Sequence, residues 1–358
     1  MAEIWRLVDS GLSSPARNVA MNRALLEARC ADEIPGTLRF SRFTRCALLA
    51  FQQSALQELD LEYCRAHAIP VQRRLTGGPA AYVDERQLVW ELYLHRRDID
   101  VGDSSSVAKR ICHAAATALS ALGIDARYRP RSDIEVDGRA LAAGSLAVER
   151  DAIFFQGILP IDGSSADAFR ALRTPWTGSA EELESETRRR AVSLREALGR
   201  QPDLALVKHN LTEAFESEFD VEFRESDVGL TEEARYEAAI RQIDSADWVD
   251  HISRGASEAP LIEAIHRGAA GELRAVVKYE RQTRTIKQVW FAGKPVLDPE
   301  RAVCDLEAAL RDVPVARVAQ RVERFFASRP LDTRGYTPGD FVSVLLQATR
   351  QRLLAGNS

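Results

Sequence analysis

Along the first 160 residues apolar and polar positions alternate in short runs rather than in long helical stripes. Runs near 37–42, 46–50, 70–75, 87–94, 125–129, 133–136 and 151–160 are rich in aliphatic and aromatic residues and predict strands. Ala152-Ile153-Phe154-Phe155-Gln156-Gly157-Ile158-Leu159 reads as a buried one. Helices fall between them. Ser14-Pro15-Ala16 opens the first, and a second from Asp60 to Cys64 ends before Ile69-Pro70. From Ser105 to Leu122 the residues Val107, Ile111, Ala115, Ala118, Leu119 and Leu122 share one face, and Lys109 lies off that stripe. Strands and helices interspersed in this way predict an α+β fold with a mixed sheet.

After Pro175 and Gly178 the pattern turns helical, with segments starting at Ala180 and Thr231 and another from Asp203 to Phe219. Glycines at 255, 268 and 271 with Pro260 predict a linker over 255–271. The chain then divides into a large domain, 1–254, whose residues 176–254 form a helical connector, and a small domain, 272–358. In the latter, Glu272–Lys278 and Thr285–Phe291 alternate as a hairpin, and helices are expected at Pro299–Arg311, Val315–Phe326 and Pro338–Leu354. The tail is therefore ββααα.

Composition changes this picture little. The 358 residues carry a net charge of -5, which gives no electrostatic case for nucleic acid. No apolar run approaches the ~20 residues of a membrane span, and no signal peptide is expected at the N-terminus. Five cysteines without a Cys-x-x-Cys spacing point to a reducing cytoplasm and away from a structural metal. Only five lysines occur, and Lys109 is the one lysine before residue 208.

Candidate chemistry concentrates in Val71-Gln72-Arg73-Arg74-Leu75-Thr76-Gly77-Gly78-Pro79-Ala80-Ala81-Tyr82. A strand ends in two arginines and a Thr-Gly-Gly turn. Glycine leaves backbone N–H groups uncovered, so the turn reads either as a plain hairpin or as a cradle for phosphate or carboxylate. Two segments follow in order: Arg131-Ser132-Asp133-Ile134 with Asp137-Gly138-Arg139, then Phe155-Gln156-Gly157. Upstream stand Ser14–Asn22, Thr37-Leu38-Arg39-Phe40 and Ala50-Phe51-Gln52-Gln53.

This order resembles the lipoate–protein ligase A family within the biotin and lipoate ligase superfamily, and the ββααα tail is similar to the accessory domain of its long forms. The resemblance implies ATP- and Mg²⁺-dependent activation of lipoate or octanoate to an acyl-adenylate. The acyl group would then pass to one lysine of a lipoyl carrier domain. By position, Arg73, Arg74, Thr76, Gly77 and Gly78 would form the acyl and nucleotide loop. Ser132, Asp133, Gly144 and Ser145 would border it, with Asp133 as the Mg²⁺ ligand. The resemblance also implies that Gly77 and Gly144 lie within about 15 Å, a span of some four extended residues. Arg73, Arg74, Arg127, Arg129 and Arg131 would gather as a positive surface for the carrier.

The chain departs from the family pattern at one point above all. Where the family has a lysine after Asp-Gly-Arg, this sequence reads Arg139-Ala140-Leu141-Ala142-Ala143-Gly144-Ser145, with one extra residue and no lysine. Arg139 and Lys109 are the candidate substitutes, although a planar guanidinium is no direct replacement for a compact ammonium. Pro79 replaces a third glycine and removes an N–H. Ala50 replaces another glycine. The cysteine route of octanoyltransferases in this superfamily has no nucleophile here, because no cysteine occurs between Cys112 and Cys304. Two readings stand: a ligase with an altered site, and a pseudo-ligase that binds carrier protein or acyl ligand.

Overall fold

The computed structural model describes residues 3–99, 104–130, 132–163, 166–173, 180–250, 261–292, 297 and 301–350. The described residues fall into two compact units, one within 3–250 and the other within 261–350. Among the described residues no helix is long and apolar enough to cross a membrane.

The first unit contains eleven strands among its described residues: β1 (Glu3–Ser13), β2 (Thr37–Phe43), β3 (Cys46–Leu49), β4 (Val71–Arg73), β5 (Ala81–Val83), β6 (Gln87–His95), β7 (Arg127–Arg129), β8 (Asp133–Val136), β9 (Arg139–Glu149), β10 (Ala152–Pro160) and β11 (Val221–Glu225). Eight form one sheet in the order β11-β1-β2-β6-β10-β9-β8-β7, and β4-β3-β5 form a small second sheet. β1 is parallel to both β11 and β2, whereas β6, β10 and β9 are antiparallel neighbours. The mixed sheet with helices is the α+β class expected. Strands β1, β5, β9 and β11 escape the sequence pattern. β9 is built largely of Ala, Gly and Ser, which carry little strand propensity.

Each face of the large sheet is covered by helices. Ser104–Ser120 and Leu204–Phe219 pack against one face, where Val107, Ile111, Ala115, Val207, Leu211 and Phe215 meet Trp90, Leu92 and Phe155. Asp203 caps Leu204–Phe219 by accepting from Ala205 N at 2.9 Å, and Asp220 closes it in a left-handed turn at φ 56. The helix Pro15–Cys30 lies on the other side, with Val19, Leu25 and Leu26 packed near Val89, Tyr93 and Phe154. Ser14 caps it. Its buried side also carries Asn18, Asn22 and Arg29, so no clean apolar stripe marks it in the sequence.

The second unit corrects the linker expectation. Residues 255–260 lie outside the described residues, but Leu261–Gly268 is a strand, β12. It pairs along its whole length with β13 (Gly271–Glu280), so Gly268 and Gly271 flank a tight hairpin rather than a flexible tether. β14 (Thr285–Ala292) and β15 (Val313–Pro314) complete a four-stranded sheet. Helices Arg301–Ala309, Val318–Ala327 and Pro338–Arg350 cover it with Leu306, Val322, Phe325, Phe341 and Leu345.

Candidate functional site

After β4 the chain turns back through Arg74–Pro79, and Arg74 builds this loop from within. Its Nε donates to Thr76 Oγ1 at 3.0 Å and its Nη1 to the Leu48 carbonyl at 3.3 Å. Its Nη2 collects the carbonyls of Gly77 (2.6 Å) and Pro79 (2.7 Å). Gly78 sits at φ +95, a conformation that side chains other than hydrogen resist. Gly77 faces open space.

The loop lies on β9. Ser145 Oγ is 2.9 Å from Thr76 Oγ1, and Gly77 N is 3.5 Å from the Leu146 carbonyl. Gly144 N donates to the Ser132 carbonyl at 2.6 Å. A Cβ on Gly144 would lie 2.3 Å from Phe155 and 2.9 Å from Ser132 O, so this close approach requires glycine. Asp133 begins β8 opposite Ala143. Thus the structure brings Arg74, Thr76, Gly77, Gly78, Ser132, Gly144 and Ser145 together, with Asp133 on the neighbouring strand, and Gly77 lies within about 15 Å of Gly144.

Three expected residues are placed elsewhere. Arg73 is fully buried, and its guanidinium donates to the carbonyls of Ala50, Phe51, Gln53, Trp248 and Val249. Burial pulls its pKa down to about 10, opposed by Asp250. It pins the 50–53 turn to the segment at 248–249 and does not face the loop's open side. Arg139 donates to Glu196 Oε1 at 2.6 Å and to the Arg188 carbonyl at 3.3 Å. That pair holds the guanidinium against Leu194–Leu198. Lys109 is exposed on Ser104–Ser120, whose neighbouring residues pack on the face with Trp90 and Phe155. Thr76, Gln156 and Ser145 lie on the opposite face, so Lys109 is no substitute for the missing lysine.

The expected cationic docking surface is also corrected. Arg73, Arg74 and Arg129 are buried, and exposed Arg127 pairs with Asp125 at 2.6 Å. Arg131 lies outside the described residues. Both arginines after Gln72 turn inward to carbonyls instead. Cys46 is buried with its thiol pushed up by desolvation, against the opposing charge of Arg74, and is no ready thiolate. Cys112 is likewise buried, its pKa pushed up to about 12 mainly by desolvation.

The extra residue in 139–145 has a structural address. Ile134 pairs with Ala142 but Glu135 with Ala140, so Leu141 is a β-bulge. Its side chain is 1% exposed in the apolar core beneath Ser104–Ser120. The insertion is absorbed locally, and Gly144-Ser145 keep their contact with the loop.

Sequence reasoning missed what lies under the loop. Arg39 Nη1 donates to Glu91 Oε2 and to Asn22 Oδ1, both at 2.7 Å, and its Nη2 donates to Asn18 Oδ1 at 2.7 Å. The Tyr93 hydroxyl is 3.2 Å from both Glu91 Oε2 and Asn22 Oδ1. Gln156 Nε2 reaches Glu91 Oε1 at 3.0 Å, and Gln156 Oε1 is 3.5 Å from Thr76 Oγ1. All are buried. Desolvation presses the Arg39 pKa down, but Glu91 and Tyr93 together outweigh it and the net shift is upward. The available signal was Glu91 inside Leu88–Leu94, a strand otherwise apolar enough to be buried on both faces; a charge there needs a partner.

A family model of the lipoyl protein ligase A/B catalytic domain matches residues 14–216. The chain belongs to this family. The octanoyltransferase LipM of Moorella thermoacetica is 26% identical over 268 residues, covering 69% of this chain and 98% of that relative. LipM of Geobacillus kaustophilus is 24% identical over 272 residues, with the same coverage. The fold matches an archaeal bi-partite lipoate protein ligase from Thermoplasma acidophilum, with TM-score 0.61, 21% identity, and coverage of 70% of this chain and 97% of that one. It also matches P. falciparum LipL1 in complex with lipoate, at TM-score 0.55 and 15% identity, over 96% of this chain and 99% of that one. At these identities the two structures establish the fold alone.

Mg²⁺ is held mainly by phosphates and water with one or two carboxylates. Among the described residues no group of three or more His, Cys, Asp or Glu could hold a metal by itself, and Asp133 offers a single carboxylate. The cations expected on the phosphates are engaged elsewhere: Arg73 and Arg74 with carbonyls, Arg139 with Glu196. These side chains do not fit a triphosphate as arranged.

Proposed function

We propose that the chain handles a lipoyl or octanoyl group for attachment to one lysine of a lipoyl carrier domain, with a site altered for the activation step. The observation that carries this reading is the convergence of the Thr76-Gly77-Gly78 loop on Gly144-Ser145 across Ser132. Gly77 opens outward there, and the loop is held from below by Arg74. The site keeps the parts that shape a ligand cradle, and Leu141 turns into the core in the stretch where the resemblance implies a lysine. A phosphate-directed lysine stabilises charge that develops during adenylation, and its loss removes an interaction of about 3 kcal/mol. Activation of a free acid with ATP and Mg²⁺ is therefore expected to be slow, and transfer of an acyl group supplied already activated to be the retained step.

The Leu141 bulge and the inward arginines also favour a second reading, a pseudo-ligase that binds carrier or acyl ligand without turnover. One experiment separates them. Apo carrier domain is mixed with octanoyl-adenylate or an octanoyl thioester, and separately with octanoate, ATP and Mg²⁺, and the carrier mass is followed. The first reading expects one octanoyl addition per carrier from the activated donors and little from the free acid. Carrier binding without any mass gain selects the second. Pyrophosphate release at ordinary ligase rates would refute the altered activation step.

A further inference from the structure

The buried polar file beneath the loop has a direction, and its charged end fixes it. Glu91 is 0% exposed and receives Arg39, so its carboxylate only accepts. Gln156 must then turn Nε2 toward Glu91 Oε1, which leaves its carbonyl Oε1 facing Thr76. An amide carbonyl also only accepts, so the Thr76 hydroxyl gives its single hydrogen to it, across the longest link of the file at 3.5 Å. With that hydrogen committed, Thr76 Oγ1 accepts from Arg74 Nε at 3.0 Å and from Ser145 Oγ at 2.9 Å. The opposite direction, Thr76 donating to Ser145, would leave Gln156 Oε1 buried without a donor, a state buried polar groups rarely occupy.

The Ser145 hydrogen is therefore drawn inward. Ser145 is half-buried beside Gly78, where a Cβ at 78 would lie 3.7 Å from Ser145 Cβ and 3.2 Å from Arg74 Nη2, and its oxygen keeps lone pairs but no hydrogen for a ligand that reaches it. We infer that Ser145 Oγ is the acceptor that receives the N–H of the carrier lysine, polarised from Glu91 through Gln156 and Thr76. This rests on the acyl-transfer reading and deepens it by giving the site a preference for an amine.

The direction matters chemically. A lysine ammonium has three donors and no acceptor, and the neutral amine that reacts keeps two N–H groups and one lone pair. An accepting oxygen holds an N–H in either state and leaves the lone pair free for the acyl carbon. A donating hydroxyl at the same place would occupy that lone pair. As the C–N bond forms, the bond to the activating group, phosphate or thiolate, breaks with its electron pair, and the amine's surplus proton leaves to solvent. Ser145 orients the nitrogen, while Thr76, Gln156 and Glu91 act through Ser145 as positioning residues.

The test uses the full chain, octanoyl-adenylate as donor and a lipoyl carrier domain as acceptor. Thr76→Val keeps shape but frees the Ser145 hydrogen, and Ser145→Ala removes the acceptor. Each is expected to lower kcat/KM for the carrier by about 10-fold or more, the worth of one charge-assisted hydrogen bond, and to change KM for the acyl donor by less than that. The double variant should be no worse than Ser145→Ala, and Thr76→Ser should restore the wild-type value. Calorimetry adds a readout without turnover: wild type should bind the carrier about 10-fold more tightly than a carrier whose lysine is methionine, and Ser145→Ala should bind both alike. Equal binding of the two carriers by wild type, multiplicative losses in the double variant, or a loss confined to the acyl-donor KM overturns the inference while leaving the acyl-transfer reading in place. Neither binding nor transfer with any carrier overturns both.

Discussion

On one face of the eight-stranded sheet, Trp90, Leu92, Phe155, Ile111 and Phe215 meet in an apolar core under two helices. On the other, Tyr93 stacks on Phe154 at 4.8 Å beside Arg39, Glu91, Gln156 and two asparagines, under the helix Pro15–Cys30. Both faces exclude water, but by different physics. Apolar packing has little directional preference, and residues of similar volume exchange at small cost. An ion pair taken out of water loses several kcal/mol per charge in solvation, which good geometry only roughly repays. The polar face is therefore poorly explained as a device for stability. It lies under Thr76 and Ser145, where direction is what a site needs.

The sharpest way to break this contrast is to remove one charge. Glu91→Leu leaves Arg39 buried without its carboxylate and should destabilise the chain by about 3–5 kcal/mol in urea unfolding. Arg39→Met with Glu91→Leu should recover most of that stability, because two apolar side chains replace a pair that was near neutral in net energy. Acyl transfer should nevertheless stay low in the double variant. Recovery of both stability and transfer would show that the file is only packing. On the apolar face, Ile111→Val should cost about 0.5–1.5 kcal/mol by methylene loss and cavity formation, with transfer kinetics per folded molecule unchanged.

The polar face should also show itself at alkaline pH. Burial, reinforced by Glu91, raises the Tyr93 pKa well above that of a free phenol, against the opposing charge of Arg39. The folded chain thus keeps this proton at pH values where the unfolded chain, titrating near pH ~10, releases it. Its contribution to stability is complete below about pH 10 and is lost above that, by up to about 1.4 kcal/mol per pH unit, until the folded pKa is passed. Tyr93→Phe should cost about 0.5–1.5 kcal/mol at pH 7 for one hydrogen bond. Above pH 10 the gap from wild type should narrow, since buried cysteines such as Cys112 destabilise both proteins alike. A gap that stays constant with pH would mean that Tyr93 does not titrate differently on unfolding.

Much of the fold was legible in the sequence, and the reasons differ by element. Strands β6 and β10 carry long apolar runs, and β2 alternates Leu38 and Phe40 with Arg39 and Ser41; all three were placed within a residue or two. β9 was not, because its small residues are there to let the loop approach and have no strand signature. β12 was hidden between glycines that turned out to flank a hairpin. At the site, the motifs that carry Thr76, Gly78, Gly144 and Ser145 lie together in the fold. The direction of the arginines was unreadable, since a strand end does not say whether a guanidinium finds solvent or five carbonyls. Glu91 was readable in principle, as a charge inside an apolar strand.

The smallest expected effect concerns the residue nearest the missing lysine. Arg139 and Glu196 form a pair at 2.6 Å with side chains 28% and 45% exposed, on the rim of the sheet. Solvent screens such a pair, and exposed pairs typically contribute about 0–1 kcal/mol. Arg139→Ala should therefore move the unfolding midpoint by no more than this allows, and Glu196→Ala should do the same, with little further loss in the double variant. For catalysis the two hypotheses diverge. If Arg139 replaced the family lysine, its removal would slow acyl activation by the 10²–10³-fold typical of a lost transition-state donor, and Glu196→Ala, which frees the guanidinium, would raise the rate. If Arg139 is the strut its contacts describe, neither substitution changes activation or transfer by more than about twofold. Steady-state pyrophosphate release and carrier mass gain for both variants decide between these outcomes, and the geometry of the pair leads us to expect the second.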